Sequence, residues 1–247
     1  MTRKTRRRRP SDRPLGRTYP LKWVVVALVF TAVVLIGGPY VFFNVFEGST
    51  PGRLHLPLAS GVPSGPIQPS QASGVWEVGA GSIAGYRVNE ILFGQTHTAV
   101  GRTTKVTGGM EISGTEVTAA DFTVDLSSVK SDQGSRDVQF RGFIMDTADY
   151  PHASFRLTMP IQLGSIPDVG RSISVPAVGD LTMRGVRRSI SFTLSAERVS
   201  AFSIAVNAEI PIRLSEWHIP NPSFAVAQVG SGGTLEVLLQ LQPSQAR

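Results

Sequence analysis

No cysteine occurs anywhere in the 247-residue sequence, so disulfides, thiol nucleophiles and thiolate metal ligands are all excluded. Only four histidines are present, and they lie far apart in the sequence without the spacing of a metal site: His55, His97, His152 and His218. A nucleophile elbow, a phosphate-binding loop and a dinucleotide fingerprint are missing as well. These absences argue against an enzyme, a metal site and a bound cofactor.

Positive charge is concentrated at the amino terminus. Residues 1–22 hold nine basic side chains and one acidic side chain, a net charge of +8, whereas the whole chain carries +6. The rest of the sequence is therefore mildly acidic, and the high overall isoelectric point gives no reason to expect nucleic-acid binding by the folded part. The basic run is explained by a role in setting the orientation of a membrane segment, and contact with anionic lipid is a second possible role.

An uncharged apolar run follows the basic segment, from Trp23 to Phe43. A helix needs about 20 apolar residues to cross a hydrocarbon core of roughly 30 Å, and this run is long enough. Aromatic residues such as Trp23 and Tyr40 lie near its ends, as in the aromatic belts of membrane proteins. Because positively charged flanks stay in the cytoplasm, we predict a cytoplasmic tail at residues 1–20 and a single transmembrane helix at 21–43.

A cleaved secretory signal is the alternative explanation of this apolar run. The apolar region of such a signal is usually about 7–15 residues long and ends in a site of small residues. Here the run is longer, and Gly37-Gly38-Pro39 is followed by further aromatic residues. We therefore favour an uncleaved anchor, which places the protein in the cell membrane with its main domain on the outer side.

Residues 44–74 are rich in proline, glycine and serine and show no apolar periodicity. This composition predicts an extended linker that holds the domain off the membrane. The few apolar residues, including Leu54 and Leu56, offer only local packing. The pattern changes at Val75, and we place the folded domain at residues 75–243.

From Val75 onward, apolar and polar residues alternate, which is typical of half-buried β-strands, and glycine-rich turns separate the alternating runs. Eight strands are predicted, near residues 85–92, 99–112, 116–127, 153–162, 172–183, 186–198, 201–213 and 233–241. Eight antiparallel strands in sequence predict an all-β fold. The specific expectation is an up-and-down, lipocalin-like barrel, which removes exposed strand edges by closing on itself.

The segment from Ser131 to Met145 lacks this alternation and has an apolar side. It is predicted to be a short helical insertion between the third and fourth strands that caps one end of the barrel. Pairing among Asp132, Arg136 and Asp137 is expected to fix the insertion in place.

Several short motifs follow one another in the domain: Trp76-Glu77-Val78, Val100-Gly101-Arg102-Thr103, Ser131-Asp132 with Arg136-Asp137, Phe143, Tyr150-Pro151-His152-Ala153-Ser154-Phe155, and Gly179-Asp180-Leu181-Thr182-Met183-Arg184-Gly185-Val186-Arg187-Arg188. In this order they resemble the YceI-like family of exported lipid-binding proteins over residues 76–241. One feature departs from the family. Gly79, Gly81 and Ser82 stand where the family has an acidic residue and a His-Ser pair, so no role of that histidine is carried over.

The resemblance implies an eight-stranded, lipocalin-like barrel around an elongated apolar tunnel. Members of this family carry polyisoprenoid, quinone-like and other long-chain lipids, and the resemblance implies binding without catalysis.

The residues expected to line the lumen lie on the inward side of the alternation: Tyr86, Val88, Phe122, Val124, Phe155, Leu157, Met159, Leu181, Met183, Phe192, Phe202 and Ile204. Three residues of the helical insertion are candidates for the barrel mouth: Arg136, Phe140 and Phe143. Of these, Arg136 has a second role open to it, as a contact for a lipid head group.

Two functions are open at this point. The first is a membrane-anchored extracytoplasmic protein that carries or stores a long-chain isoprenoid or quinone-like lipid in its lumen. The second is an envelope stress protein whose barrel is fully packed and which acts through protein contacts at an exposed apolar patch. An enzyme of isoprenoid metabolism would need convergent polar groups in the lumen, where Tyr86 is the only polar tip predicted. The sequence indicates no oligomeric state.

Overall fold

The computed structural model describes residues 21–33, 50–57, 72–224 and 227–244. The chain divides into two units, Met1–Glu47 and Gly48–Arg247. In the first unit the described element is helix α1, Leu21–Ala32. Among the described residues no helix is both long and apolar enough to span a membrane. The predicted tail at 1–20 and residues 34–43 of the predicted transmembrane helix lie outside the described residues.

The second unit contains one sheet of thirteen strands whose neighbours all run antiparallel. The strands are β1 (Gly74–Val78), β2 (Ile83–Leu92), β3 (Gln95–Thr103), β4 (Val106–Ser113), β5 (Glu116–Asp125), β6 (Lys130–Ser131), β7 (His152–Met159), β8 (Ile161–Gln162), β9 (Ser172–Met183), β10 (Val186–Ser200), β11 (Ser203–Arg213), β12 (Ala227–Val229) and β13 (Gly232–Pro243).

The sheet closes into a barrel because β13 pairs with both β1 and β2. Strand β1 also pairs with β4, and β2 pairs with β3, so β1/β2 and β3/β4 each occupy a single position in the barrel. The other six positions are β5, β7, β9, β10, β11 and β13. The predicted closed, eight-stranded antiparallel barrel is confirmed. Strands β6, β8 and β12 add short pairings to β3, β5 and β2.

Two hairpins show how the local sequence directs this topology. Phe93-Gly94 joins β2 to β3, and Arg184-Gly185 joins β9 to β10. All four residues have positive φ, between 48° and 80°. A two-residue turn of this type matches the right-handed twist of the strands, and glycine at its second position adopts that conformation without a steric penalty.

The helical insertion is also confirmed. Helix α2 (Gly134–Gln139) continues into a π-helical turn at Phe140–Ile144, between β6 and β7. Phe140 and Met145 are buried in a cluster with Leu181 and Trp217. The insertion therefore packs against one end of the barrel interior.

Part of the predicted linker contacts the outer wall of the barrel. Leu54 is buried, with 7% of its surface exposed. The Asn207 amide on β11 donates to the Leu54 carbonyl at 3.1 Å, and Arg53 forms an ion pair with Glu209 at 2.5 Å. Residues 50–57 are thus docked against the barrel, whereas residues 44–49 and 58–71 lie outside the described residues.

Candidate functional site

A cavity of about 220 Å³ runs through the barrel interior. It touches both clusters of buried residues, one around Trp76 and Leu241 and the other around Leu181 and Trp217. Almost every lining side chain is apolar, and the polar exceptions are Tyr86, Ser154, Glu197 and Arg198. Because such walls offer water few hydrogen bonds, the cavity is suited to an apolar ligand.

Nine of the twelve residues predicted for the lumen line this cavity: Tyr86, Phe122, Val124, Phe155, Leu157, Leu181, Met183, Phe192 and Ile204. They come from six strands, which the alternation pattern places on one face. Phe155 and Phe192 meet edge to face, with ring centroids 5.5 Å apart. Aromatic rings on β7 and β10, the two strands on either side of β9, therefore form part of the wall.

The prediction was wrong for Met159, Phe202 and Val88, which are not among the lining residues. In the β7–β9 pair, Leu157 is opposite Gly179 but Met159 is opposite Val178, so a β-bulge shifts the register. The extra residue turns Met159 outward, where 58% of its surface is exposed. Phe202 is 73% exposed in the turn between β10 and β11. Val88 is half-buried near Gly233, close to where β13 begins.

The helical insertion closes one end of the cavity through an aromatic stack. The rings of Tyr86 and Phe140 are nearly parallel, at 12°, with centroids 5.1 Å apart, and both residues line the cavity. The Tyr86 ring also lies over Gly101, where a Cβ atom would be 2.4 Å from the ring, so only glycine fits there. Burial raises the pKa of Tyr86 to about 12, and the phenol therefore stays protonated at physiological pH.

Polar contacts fix the insertion to the neighbouring strands. The Arg136 guanidinium pairs with Glu90 on β2 at 3.0 Å and with Asp132. The buried carboxylate of Asp137 accepts hydrogen bonds from the backbone N–H and the hydroxyl of Ser131, at 2.8 and 2.7 Å. The expected pair between Arg136 and Asp132 is therefore present, while Asp137 is bound to Ser131 instead.

The three mouth candidates have different environments. Phe140 lines the cavity, Arg136 is held by two carboxylates beside it, and Phe143 is 60% exposed and outside the lining. The insertion thus contributes two wall residues, Phe140 and Met145, and the assignment of Phe143 to the barrel mouth stays a prediction. Both residues lie in the π-helical turn, where Phe140 is 8% exposed and Phe143 faces solvent.

The opposite end of the cavity is closed by the chain between β8 and β9, from which Leu163, Ile166 and Pro167 join the lining. Glu197 and Arg198 on β10 lie at this end and were not predicted. A signal for Arg198 was present, because it continues the inward series Phe192, Leu194 and Ala196 by the same period of two. Other missed wall residues share that period: Leu235, Val237, Leu239 and Leu241.

No metal centre accompanies the cavity in the part of the chain that the structure describes, where no three His, Asp or Glu side chains are grouped closely enough to hold an ion. The described hydrogen bonds also join none of the polar lining residues Tyr86, Ser154, Glu197 and Arg198 to one another.

The barrel is similar to solved structures of low sequence identity. A polyisoprenoid binding domain from Saccharophagus degradans, implicated in plant cell wall breakdown, matches with a TM-score of 0.56 and 19% identity, over 70% of this chain and 99% of that one. A Campylobacter jejuni YCEI protein matches with a TM-score of 0.50 and 14% identity, over 59% of this chain and 85% of that one. At these identities the similarity establishes the fold alone.

The search among curated proteins found no match. The family model, in contrast, covers more than half of the chain: the YceI-like domain matches residues 77–241, from strand β1 to strand β13. This range contains the helical insertion, all of the barrel except the first residues of β1 and the last of β13, and every cavity-lining residue except Ala72. On this match the chain belongs to the YceI-like family.

Proposed function

We propose that this protein is a membrane-anchored, extracytoplasmic binding protein that holds a long-chain amphiphilic lipid, polyisoprenoid or quinone-like, for carriage or storage in the cell envelope. The observation that carries the proposal is the apolar cavity along the barrel, from Ile161 near one end to Phe140 at the other. A barrel that acted only through its outer surface would have its interior filled by side chains. The cavity therefore favours the lipid carrier over the packed alternative.

The chemistry of the wall fits a slender, flexible hydrocarbon chain. Apolar burial stabilises such a complex by roughly 25 cal/mol per Å² before the cost of association is subtracted. The wall rings Phe122, Phe155 and Phe192 supply large contact areas with few polar atoms. A polar substrate would lose its hydration in this lumen without regaining equivalent hydrogen bonds. An isoprenoid chain, which is apolar along its length, loses little.

Family membership and the name of one structural relative support the same ligand class, since the Saccharophagus degradans domain is described as polyisoprenoid binding. Membrane anchoring is supported by sequence alone. The uncharged run from Trp23 to Phe43 follows nine basic residues, and this arrangement would leave the barrel outside the cytoplasm.

The direct test is native mass spectrometry of the full chain purified from its host, followed by extraction and identification of any bound lipid. Ala177→Phe is the informative variant, because Ala177 lines the cavity directly opposite Phe192 and a second ring there would fill the lumen. Ser191→Phe is the matched control, since Ser191 is exposed on β10. Overpacking costs about 1–3 kcal/mol, so folding of both variants is checked by thermal unfolding.

We expect one long-chain lipid per wild-type chain, an unchanged amount in Ser191→Phe, and at least about a tenfold lower occupancy in Ala177→Phe. A wild-type chain that carries no lipid, and still binds none after incubation with polyprenols and quinones, would contradict the proposal. Equal lipid occupancy in the two variants would place the ligand outside the cavity.

A further inference from the structure

Two charged residues, Glu197 and Arg198, line the otherwise apolar cavity, and the strand register places the Arg198 side chain on its inner face. On β10, Phe192, Leu194 and Ala196 line the cavity, and Arg198 follows with the same period. Arg198 is directly opposite Ile204 on β11, which also lines the cavity. Side chains that are directly opposite in an antiparallel pair lie on the same face of the sheet, so the Arg198 side chain is on the inner face.

Arg198 is buried, with 4% of its surface exposed. Its Nε donates to the Ser200 carbonyl at 3.2 Å, and Nη1 donates to the Pro167 carbonyl at 3.4 Å. A guanidinium has five N–H donors, and these two hydrogen bonds use two of them. Burial lowers the pKa of Arg198, while the charge of Asp168 opposes this effect, and arginine nevertheless stays protonated at physiological pH.

Arg136, at the other end of the barrel, forms direct ion pairs, whereas the described residues give Arg198 only the more distant charge of Asp168. Arg136 lies between two carboxylates, those of Glu90 and Asp132. Among the described residues Arg198 has no ion pair within 4.0 Å, although Glu197 is its neighbour in sequence. Glu197, which also lines the cavity, is opposite Ala205, whereas Arg198 is opposite the lining residue Ile204. An uncompensated buried charge costs several kcal/mol, and an anion beside it would offset that cost.

We propose that Arg198 binds the anionic head group of the lipid, a phosphate or a carboxylate, at the end of the lumen closed by Leu163, Ile166 and Pro167. The apolar chain of the ligand then extends along the barrel toward Tyr86 and Phe140. This inference rests on the proposed lipid-binding function and deepens it, since it selects anionic amphiphiles over neutral alcohols and fixes the direction in which they bind. Charge-assisted hydrogen bonds to oxyanions are the strongest that a guanidinium makes.

The test compares three ligands that share one isoprenoid chain: farnesyl monophosphate, farnesoic acid and the neutral alcohol farnesol. Dissociation constants are measured for the full-length chain in a non-ionic detergent, and the readout is the preference for each anion over the alcohol. The variants are Arg198→Gln, which removes the charge, and Arg198→Lys, which keeps it. Arg171→Gln is the control, because Arg171 is exposed in the same loop and its loss changes the net charge equally.

We expect the wild-type chain and Arg171→Gln to prefer at least one anion over farnesol by about tenfold or more. Arg198→Gln should lose that preference while binding farnesol as before, and Arg198→Lys should retain part of it. The preferred anion identifies the head group as phosphate or carboxylate.

Two outcomes overturn the inference and separate it from the proposed function. If the wild-type chain binds farnesol as tightly as both anions, or Arg198→Gln keeps the preference, Arg198 only holds the Pro167 loop and the lipid-binding proposal stands. If none of the three ligands binds the wild-type chain, the head-group inference fails, and the lipid-binding proposal fails with it only if the chain also binds no polyprenol or quinone. Retained farnesol binding by Arg198→Gln shows that this variant is folded. If Arg198→Gln does not fold, the anion preference of Arg198→Lys is the test of the inference.

Discussion

At the scale of single residues, Glu236 is the most completely buried charge of the described barrel, with 0% of its surface exposed. It lies on the outer side of β13 and pairs with Arg87 at 2.6 Å and with Arg102 at 2.8 Å. These arginines also donate to the backbone carbonyls of Pro51 and Gly52 in the docked segment. The three side chains therefore connect β2, β3 and β13 to a part of the chain that lies outside the family domain.

We predict that Glu236→Gln lowers the free energy of unfolding by about 3 kcal/mol, because it leaves two guanidinium groups without their carboxylate. The measurement is denaturant unfolding of the full chain. Asp121→Asn is the control, since the Asp121–Arg156 pair is exposed and its loss should cost less than about 1 kcal/mol. Equal effects of the two substitutions would show that the buried triad adds nothing to stability.

The same residue makes stability depend on pH. Burial of the Glu236 carboxylate raises its pKa, but the hydrogen bonds and charges of Arg87 and Arg102 outweigh burial, so the pKa lies below the ordinary value of 4.5. The contribution of Glu236 is complete above pH 4.5 and is lost as the pH falls through the depressed value. Wild-type protein should therefore lose more stability than Glu236→Gln between pH 5 and pH 3, and parallel curves would contradict this.

Single residues also show where sequence reasoning works. Alternation correctly placed residues such as Phe122 and Leu181 on the cavity wall, because the period of two is a property of every regular strand. Alternation failed at Met159, because a β-bulge in the pairing of β7 with β9 turns this side chain to the outer face, and such a bulge depends on the partner strand. Arg198 follows the period but was passed over, since a charged side chain inside a barrel contradicts the rule that charges face water.

At the scale of elements, the helical insertion closes one end of the cavity. Phe140 and Met145 contact the cavity, and polar bonds of Arg136 and Asp137 hold the insertion to the adjacent strands. The sequence predicted a short helix here from the loss of alternation. The π-helical turn was not predicted, because it depends on packing of Phe140 and Met145 against the barrel interior.

We predict that Phe140→Ala lowers the free energy of unfolding by about 3 kcal/mol, as is usual for a buried phenylalanine. Release of bound lipid should become about tenfold faster, because the ligand loses an aromatic wall worth roughly 1.5 kcal/mol. Unfolding and transfer of a fluorescent polyprenol to acceptor vesicles are the two measurements. Phe143→Ala is the matched control, since Phe143 is exposed in the same turn. Unchanged release by Phe140→Ala would mean that the lipid leaves at the other end.

At the scale of the whole molecule, the barrel could be predicted because its eight strands and turns are each encoded locally. The docked segment at residues 50–57 could not, because its partners Asn207 and Glu209 lie more than 150 residues further along the chain. In the absence of information on tertiary contacts, a composition rich in proline and glycine predicts a linker. The burial of Leu54 arises from tertiary contacts that this composition does not reveal.

The proposed membrane anchor gives the last prediction, since among the described residues no helix is long and apolar enough to span a membrane. Full-length protein should remain in the membrane after alkaline carbonate extraction, with an intact mass that includes the amino-terminal segment. The double substitution Val33→Arg and Leu35→Arg should release it, because each arginine at the centre of the span costs about 2.5–3.5 kcal/mol on insertion. Val33→Leu with Leu35→Val is the control that keeps the span apolar. Wild-type protein that is extracted by carbonate, or whose mass lacks this segment, would contradict the anchor and leave a barrel that carries its lipid as a freely diffusing protein.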